Sequence, residues 1–93
     1  MKKLYRFTTS TCGVCRMNRP LWEKTAKLLD GKADIKEFVF DKDRSADNLV
    51  KDLKITQVPT VVVLDQNEDI TLFRKTGALS LEDINSIKKL IES

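Results

Sequence analysis

Cys12-Gly13-Val14-Cys15 decides how this chain is read. Two thiols separated by two residues, where a predicted helix begins, form the working end of a dithiol–disulfide exchanger. They are the only two cysteines in the sequence. Any cysteine chemistry within one chain therefore happens between them.

Working outward, residues 4–9 read as a strand in which Tyr5 and Phe7 alternate with Arg6. Ser10 and Thr11 lead into the cysteines. Residues 12–29 read as a helix, with Met17, Leu21, Trp22, Ala26 and Leu29 at helical spacing. Asp30-Gly31 stops it, Gly31 suiting a left-handed cap. Pro20 falls inside this span, so the helix either kinks there or begins later with Pro20 in its first turn. Residues 35–40 read as a second strand, with Ile35, Glu37 and Val39 on one face and Phe38 and Phe40 on the other. Ala46, Leu49, Val50 and Leu53 follow amphipathic helical spacing. The unbroken run Thr60 to Leu64 predicts a strand buried on both faces. After a polar turn over 65–69, residues 70–75 form its antiparallel partner. Ser80 and Asp83 predict a capping box for a last helix whose buried stripe is Leu81, Ile84, Ile87 and Ile91. The predicted class is α/β, in the order β-α-β-α-β-β-α.

The 93 residues suit one domain, residues 1–93. A chain of this length buries about 60–70% of its unfolded surface, and 41% hydrophobic residues supply a core. The net charge of +3 comes from interspersed Lys, Arg, Asp and Glu. No basic block points to nucleic acid. Met1-Lys2-Lys3 begins like a secretory leader, but Arg6 and the polar run Thr8 to Thr11 interrupt the ~7–15 apolar residues such a leader needs. No stretch approaches the ~18 apolar residues of a membrane span. The expected location is cytoplasmic, where a CxxC pair is catalytic more often than structural.

The chemistry follows from the spacing. The attacking species is a thiolate, and unpaired N–H groups at a helix start favour it. Cys12 is the expected exposed nucleophile. Cys15, one turn on, is the expected resolving thiol that closes the Cys12–Cys15 disulfide. Gly13 keeps the approach open. A structural zinc site needs four ligands. This chain has no histidine and no further cysteine, so no metal is expected within a monomer. A purely structural disulfide would constrain little across so short a loop. Val58-Pro59-Thr60 is the second signal: Pro59 either starts the buried strand or forms a cis bond that leaves the Val58 backbone free for an incoming peptide.

Together, CGVC after the first strand, Pro20 five residues beyond the second cysteine, Val58-Pro59-Thr60, and Thr76-Gly77-Ala78-Leu79-Ser80 before the last helix resemble thioredoxin. The resemblance covers nearly the whole chain, without the extra N-terminal strand and helix of full-length members. It implies a thioredoxin-like fold: a four-stranded mixed sheet in the order 2-1-3-4, flanked by helices on both faces. It implies that Pro59 is cis beside the cysteines. It also implies that Gly13, Val14, Gln57, Val58, Pro59, Thr60, Thr76, Gly77 and Ala78 line a groove for the client's cysteine segment.

Departures from the pattern are informative. Thr11 stands where the usual motif has Trp, Val14 where it has Pro, and Thr8 where a second Trp is usual. Members of the family carry a buried Asp six residues before the first cysteine and a Lys on the neighbouring strand. The matching positions are Arg6 and Glu37. The pair is expected to persist with its polarity reversed, unless one or both side chains point into solvent. Arg6 has no lone pair with which to accept a proton. Glu37 is then the candidate proton acceptor and Arg6 its charge partner.

The implied activity is protein-disulfide reduction through reversible Cys12–Cys15 exchange. No cofactor is bound, and reducing equivalents come from NADPH through a thioredoxin reductase-like donor. The implied partners are that donor and disulfide-containing client proteins, with no nucleic acid and no membrane, the chain acting as a monomer. The alternatives are a glutaredoxin-like, glutathione-dependent oxidoreductase and a binding module that uses the fold without redox chemistry.

Overall fold

A computed structural model describes residues 1–93. β1 (Lys3–Thr8) is the organising strand, buried from Leu4 to Thr8. It pairs in parallel with β2 (Asp34–Val39) on one side and antiparallel with β3 (Thr60–Leu64) on the other. β4 (Thr71–Thr76) adds antiparallel to β3, giving the order β2-β1-β3-β4. All five residues of β3 are buried, as its unbroken apolar run requires of a strand covered on both faces. β4, at the edge, is largely exposed.

The alternation of β1 sorts the core into two layers. On one face, Leu4, Val61 and Val63 pack with Trp22 of α2 (Arg19–Leu28), with Leu29 beyond it, and with Ile87 and Ile91 of α4 (Leu81–Glu92). On the other face, Tyr5, Phe7, Val62 and Leu64 pack with Ala46 and Ile55. Leu49 and Val50 of α3 (Asp47–Asp52) cover that layer. The ring of Phe38 meets Tyr5 edge-on at 5.2 Å and stacks on Phe7 at 5.5 Å. The predicted faces of the second strand are those observed, with Ile35 in the first layer and Phe38 and Phe40 in the second.

Local signals hold where chemistry is local. Ser80 Oγ accepts the Asp83 N–H at 3.1 Å, and Asp83 Oδ2 accepts the Ser80 N–H at 2.9 Å. Gly31 takes φ +79°, in the left-handed region that favours glycine. No helix is long and apolar enough to cross a membrane.

Three expectations change. The helix predicted over 12–29 is two helices, α1 (Gly13–Met17) and α2, divided at Asn18. Pro20 lies in the first turn of α2, where its missing N–H is not needed, while the cysteines keep a short helix of their own. Met17, which helical spacing groups with Leu21, Trp22, Ala26 and Leu29, is 85% exposed. The division changes the helical phase, so α1 buries only Cys15, and Trp22 and Thr25 carry the buried face of α2. Leu81 is 67% exposed, because the contact of α4 with the core begins a turn later, at Ile84.

Candidate active site

The cysteines sit where the chain leaves the C-terminal end of β1. Asp41, in the loop after β2, accepts hydrogen bonds from the Ser10 N–H at 2.9 Å and from the Ser10 hydroxyl. The Cys12 N–H donates to Thr9 O at 3.3 Å. The approach to the cysteines is thus tied down on both sides of Thr11.

Cys12 caps α1 from an extended conformation, and its Sγ accepts the Cys15 N–H at 3.0 Å. Cys12 and Cys15 form a disulfide. Cys12 is half-buried, whereas Cys15 is 2% exposed. The two sulfurs are therefore not equivalent toward an incoming molecule. Gly13 and Val14 between them are exposed. A Cβ built at Gly13 would meet nothing within 4 Å.

The Val58–Pro59 bond is cis and Pro59 is buried. Pro59 O accepts the Gly77 N–H at 2.8 Å, joining this turn to the segment after β4. Gly77 makes that bond at φ +100°, a conformation in which other side chains are strained. The Thr60 hydroxyl donates to Gln57 O at 2.7 Å and lies 3.3 Å from the Thr76 hydroxyl. Gln57, Thr76 and Ala78 are exposed around this wall, with Val58 and Gly77 half-buried and Thr60 buried. Asn18 Oδ1 accepts the Leu79 N–H at 3.1 Å and fastens the wall to the helix break. Between them lies a groove of about 290 Å³ lined by Val14, Met17, Asn18 and Ala78. A larger concavity of about 560 Å³ lies against Met1, Lys3, Asp30 and Gln66 and is lined by none of the candidate site residues.

Beneath the cysteines, Arg6 is fully buried. One terminal nitrogen donates to Cys15 O at 2.7 Å, and the other is ion-paired with Glu37. These residues are direct neighbours across β1 and β2. The guanidinium lies 5.9 Å from the centre of the Trp22 ring, within cation–π range. Arg19 on α2 donates to both oxygens of Glu37, at 3.1 and 3.3 Å. Burial pushes the pKa of Arg6 below its ordinary value, and Glu37 acts in the opposite direction. Arg6 Nε and Thr8 Oγ1 are buried with no hydrogen-bond partner in the protein.

The sequence-predicted residues converge through three links: the disulfide, the groove shared by Val14 and Ala78, and the Gly77–Pro59 hydrogen bond. Arg16, next to Cys15 in sequence, is exposed. Sequence reasoning missed Arg19, Asn18 and Asp41. Asn18-Arg19-Pro20 carries a helix-start signature, a cap-type residue just before proline, that could have revealed the break. Nothing local identifies Arg19 as a partner of Glu37, 18 residues away.

The family model for thioredoxin matches residues 2–90. The thioredoxins of Staphylococcus haemolyticus and Staphylococcus epidermidis are each 32% identical over 68 residues, which is 73% of this chain. The match spans 62% of the length of those relatives. Among solved structures, the germline-specific thioredoxin Deadhead of Drosophila melanogaster superposes with a TM-score of 0.79. It is 25% identical, over 96% of this chain and 80% of that one. A malarial protein at 19% identity shares the fold over 100% of this chain and 99% of its own, with a TM-score of 0.77.

Proposed function

Since this chain belongs to the thioredoxin family, we propose that it is a thiol–disulfide oxidoreductase that reduces protein disulfides. The observation that carries this reading is the asymmetric cysteine pair: a half-buried Cys12 whose sulfur accepts the Cys15 N–H, bonded to a buried Cys15. In the reduced protein the same N–H favours the Cys12 thiolate over the thiol, because a hydrogen bond to the charged form lowers its pKa.

In the proposed cycle, the Cys12 thiolate attacks one sulfur of a client disulfide. The client S–S bond breaks, a mixed disulfide forms, and the first client thiolate leaves and takes a proton from solvent. Cys15 then loses its proton and attacks Cys12 Sγ. The Cys12–Cys15 bond forms and the second client thiolate departs, also taking a proton. Two electrons pass to the client. Gly13, Val14, Gln57, Val58, Pro59, Thr60, Thr76, Gly77 and Ala78 receive the client's cysteine segment, with the 290 Å³ groove as its apolar seat. A thioredoxin reductase-like donor drawing on NADPH returns the protein to the dithiol. The clients are disulfide-containing proteins, and the chain works as a cytoplasmic monomer.

Two parallel assays test this: insulin reduction with NADPH and a thioredoxin reductase, and reduction of a glutathione mixed disulfide. Turnover in the first, abolished by Cys12→Ser, is the expected result. Activity with glutathione alone would overturn it.

A further inference from the structure

We infer that Arg6 is a positioning residue of the dithiol site: its buried guanidinium joins the Cys15 carbonyl to Glu37 and biases the cysteines toward thiolate, so that Cys15 ionises without a carboxylate base. This rests on the disulfide-exchange reading and specifies how its second step loses a proton.

Arg6 is fully buried and donates to Cys15 O at 2.7 Å, so a fixed positive charge lies against the backbone of the resolving cysteine. A neighbouring cation favours a thiolate, and a site shielded from water strengthens the effect. The other charges acting on Arg6 are Glu37 on β2 and Arg19 and Glu23 on α2. Arg16, next to Cys15, is exposed to solvent. Among these groups, Arg6 is the one hydrogen-bonded to the Cys15 backbone.

The remaining contacts decide the role of Glu37. Both of its oxygens accept guanidinium N–H groups, one from Arg19 and the other from Arg6 and Arg19. Accepting a proton would forfeit charge-assisted hydrogen bonds. Glu37 therefore acts as the counter-ion that moderates the field of Arg6. The Cys15 proton passes to solvent, the Cys15 thiolate attacks Cys12 Sγ, and the Cys12–client bond breaks with its electron pair leaving on the client sulfur.

The test uses the whole chain with three variants, Arg6→Met, Arg6→Lys and Glu37→Gln. Thermal melts of the oxidised proteins first establish that each folds. The readouts are the Cys12/Cys15 equilibrium against glutathione redox buffers and the pH profiles of thiol alkylation and of mixed-disulfide resolution. Removing the cation destabilises the thiolate form, so Arg6→Met is expected to make the pair about tenfold less oxidising, ~30 mV. Its alkylation midpoint moves to higher pH. Arg6→Lys restores most of the loss. Glu37→Gln, which leaves Arg6 less opposed, shifts both readouts the other way.

A purely structural role does not predict opposite signs. The inference is overturned if Arg6→Met stays within about twofold of the parent, if the two charge removals shift the pair in the same direction, or if resolution shows a carboxylate inflection that Glu37→Gln abolishes. Should Arg6→Met fail to fold, Glu37→Gln decides: a more oxidising pair supports the inference, and an unchanged or less oxidising one overturns it. A parent protein that exchanges with neither insulin nor glutathione disulfides defeats the functional reading instead. An active parent indifferent to these charges defeats only the role of Arg6.

Discussion

Asn18 Oδ1 accepts the Leu79 N–H at 3.1 Å, so the break between α1 and α2 is pinned to the segment that enters α4. Both residues are buried. Asn18→Ala leaves the Leu79 N–H without that partner, which costs about 1–3 kcal/mol for an unsatisfied buried donor. Asn18→Asp keeps an acceptor and loses less. Urea unfolding of the oxidised proteins measures both. A loss below ~0.5 kcal/mol in the alanine variant would show that the bond does not hold the groove wall.

Gly13 has open space where a Cβ would be and does not adopt a positive φ. Nothing inside the protein requires glycine there. Gly13→Ala is expected to stabilise the fold by up to about 0.5–1 kcal/mol, since alanine loses less backbone entropy in a helix. The same methyl group projects beside the exposed spacer and should slow reduction of a folded protein client more than reduction of a small aromatic disulfide. Equal rates for parent and variant with the protein client would remove Gly13 from client recognition.

Thr8 Oγ1 is buried with no hydrogen-bond partner in the protein. Replacing an unpaired hydroxyl by a methyl group of the same shape removes a desolvation cost, so Thr8→Val is expected to be stabilising by about 1 kcal/mol. The sign of the change in chemical denaturation is decisive. Clear destabilisation would mean that the hydroxyl is satisfied in solution.

Asp41 is the acid-sensitive clamp on the chain entering the cysteines. The hydrogen bond from the Ser10 hydroxyl, followed by that from its backbone N–H, holds the Asp41 carboxyl below its ordinary value of 3.8. Because the folded-state pKa is depressed, this contribution is complete above 3.8 and is lost as the pH falls through the lower folded value. Asp41→Asn should flatten that part of the stability–pH curve. Denaturation midpoints followed from neutral into acid solution test it; parallel curves for parent and variant would rule out the clamp.

Much of the architecture was legible because it depends on local rules. Period-two and period-3.6 patterns located the strands and helices, the Thr60 to Leu64 run marked a strand buried on both faces, and Ser80 with Asp83 announced a capping box that forms as read. The division of the first helix was less legible. Pro20 could kink a continuous helix or sit in the first turn of a new one, and the outcome keeps a separate turn for the cysteines. Met17 and Leu81 are exposed despite their helical spacing, because periodicity gives a helix's apolar phase but not where contact with a sheet begins or ends.

By itself, the sequence determined that this protein carries one cysteine pair with disulfide-exchange spacing, that a proline segment precedes its buried strand, and that Arg6 and Glu37 interrupt apolar strands with opposite charges. Only the tertiary structure decided where those charges lie and what they touch. It buried Arg6 completely, placed it against the Cys15 carbonyl, and brought Arg19 to the same carboxylate. The physical reason is that a strand pattern specifies which face a side chain occupies, whereas the cost of burying a charge depends on partners supplied by other elements. Glu37 reaches Arg6 across 31 residues and a strand pairing, a relationship that no local pattern encodes.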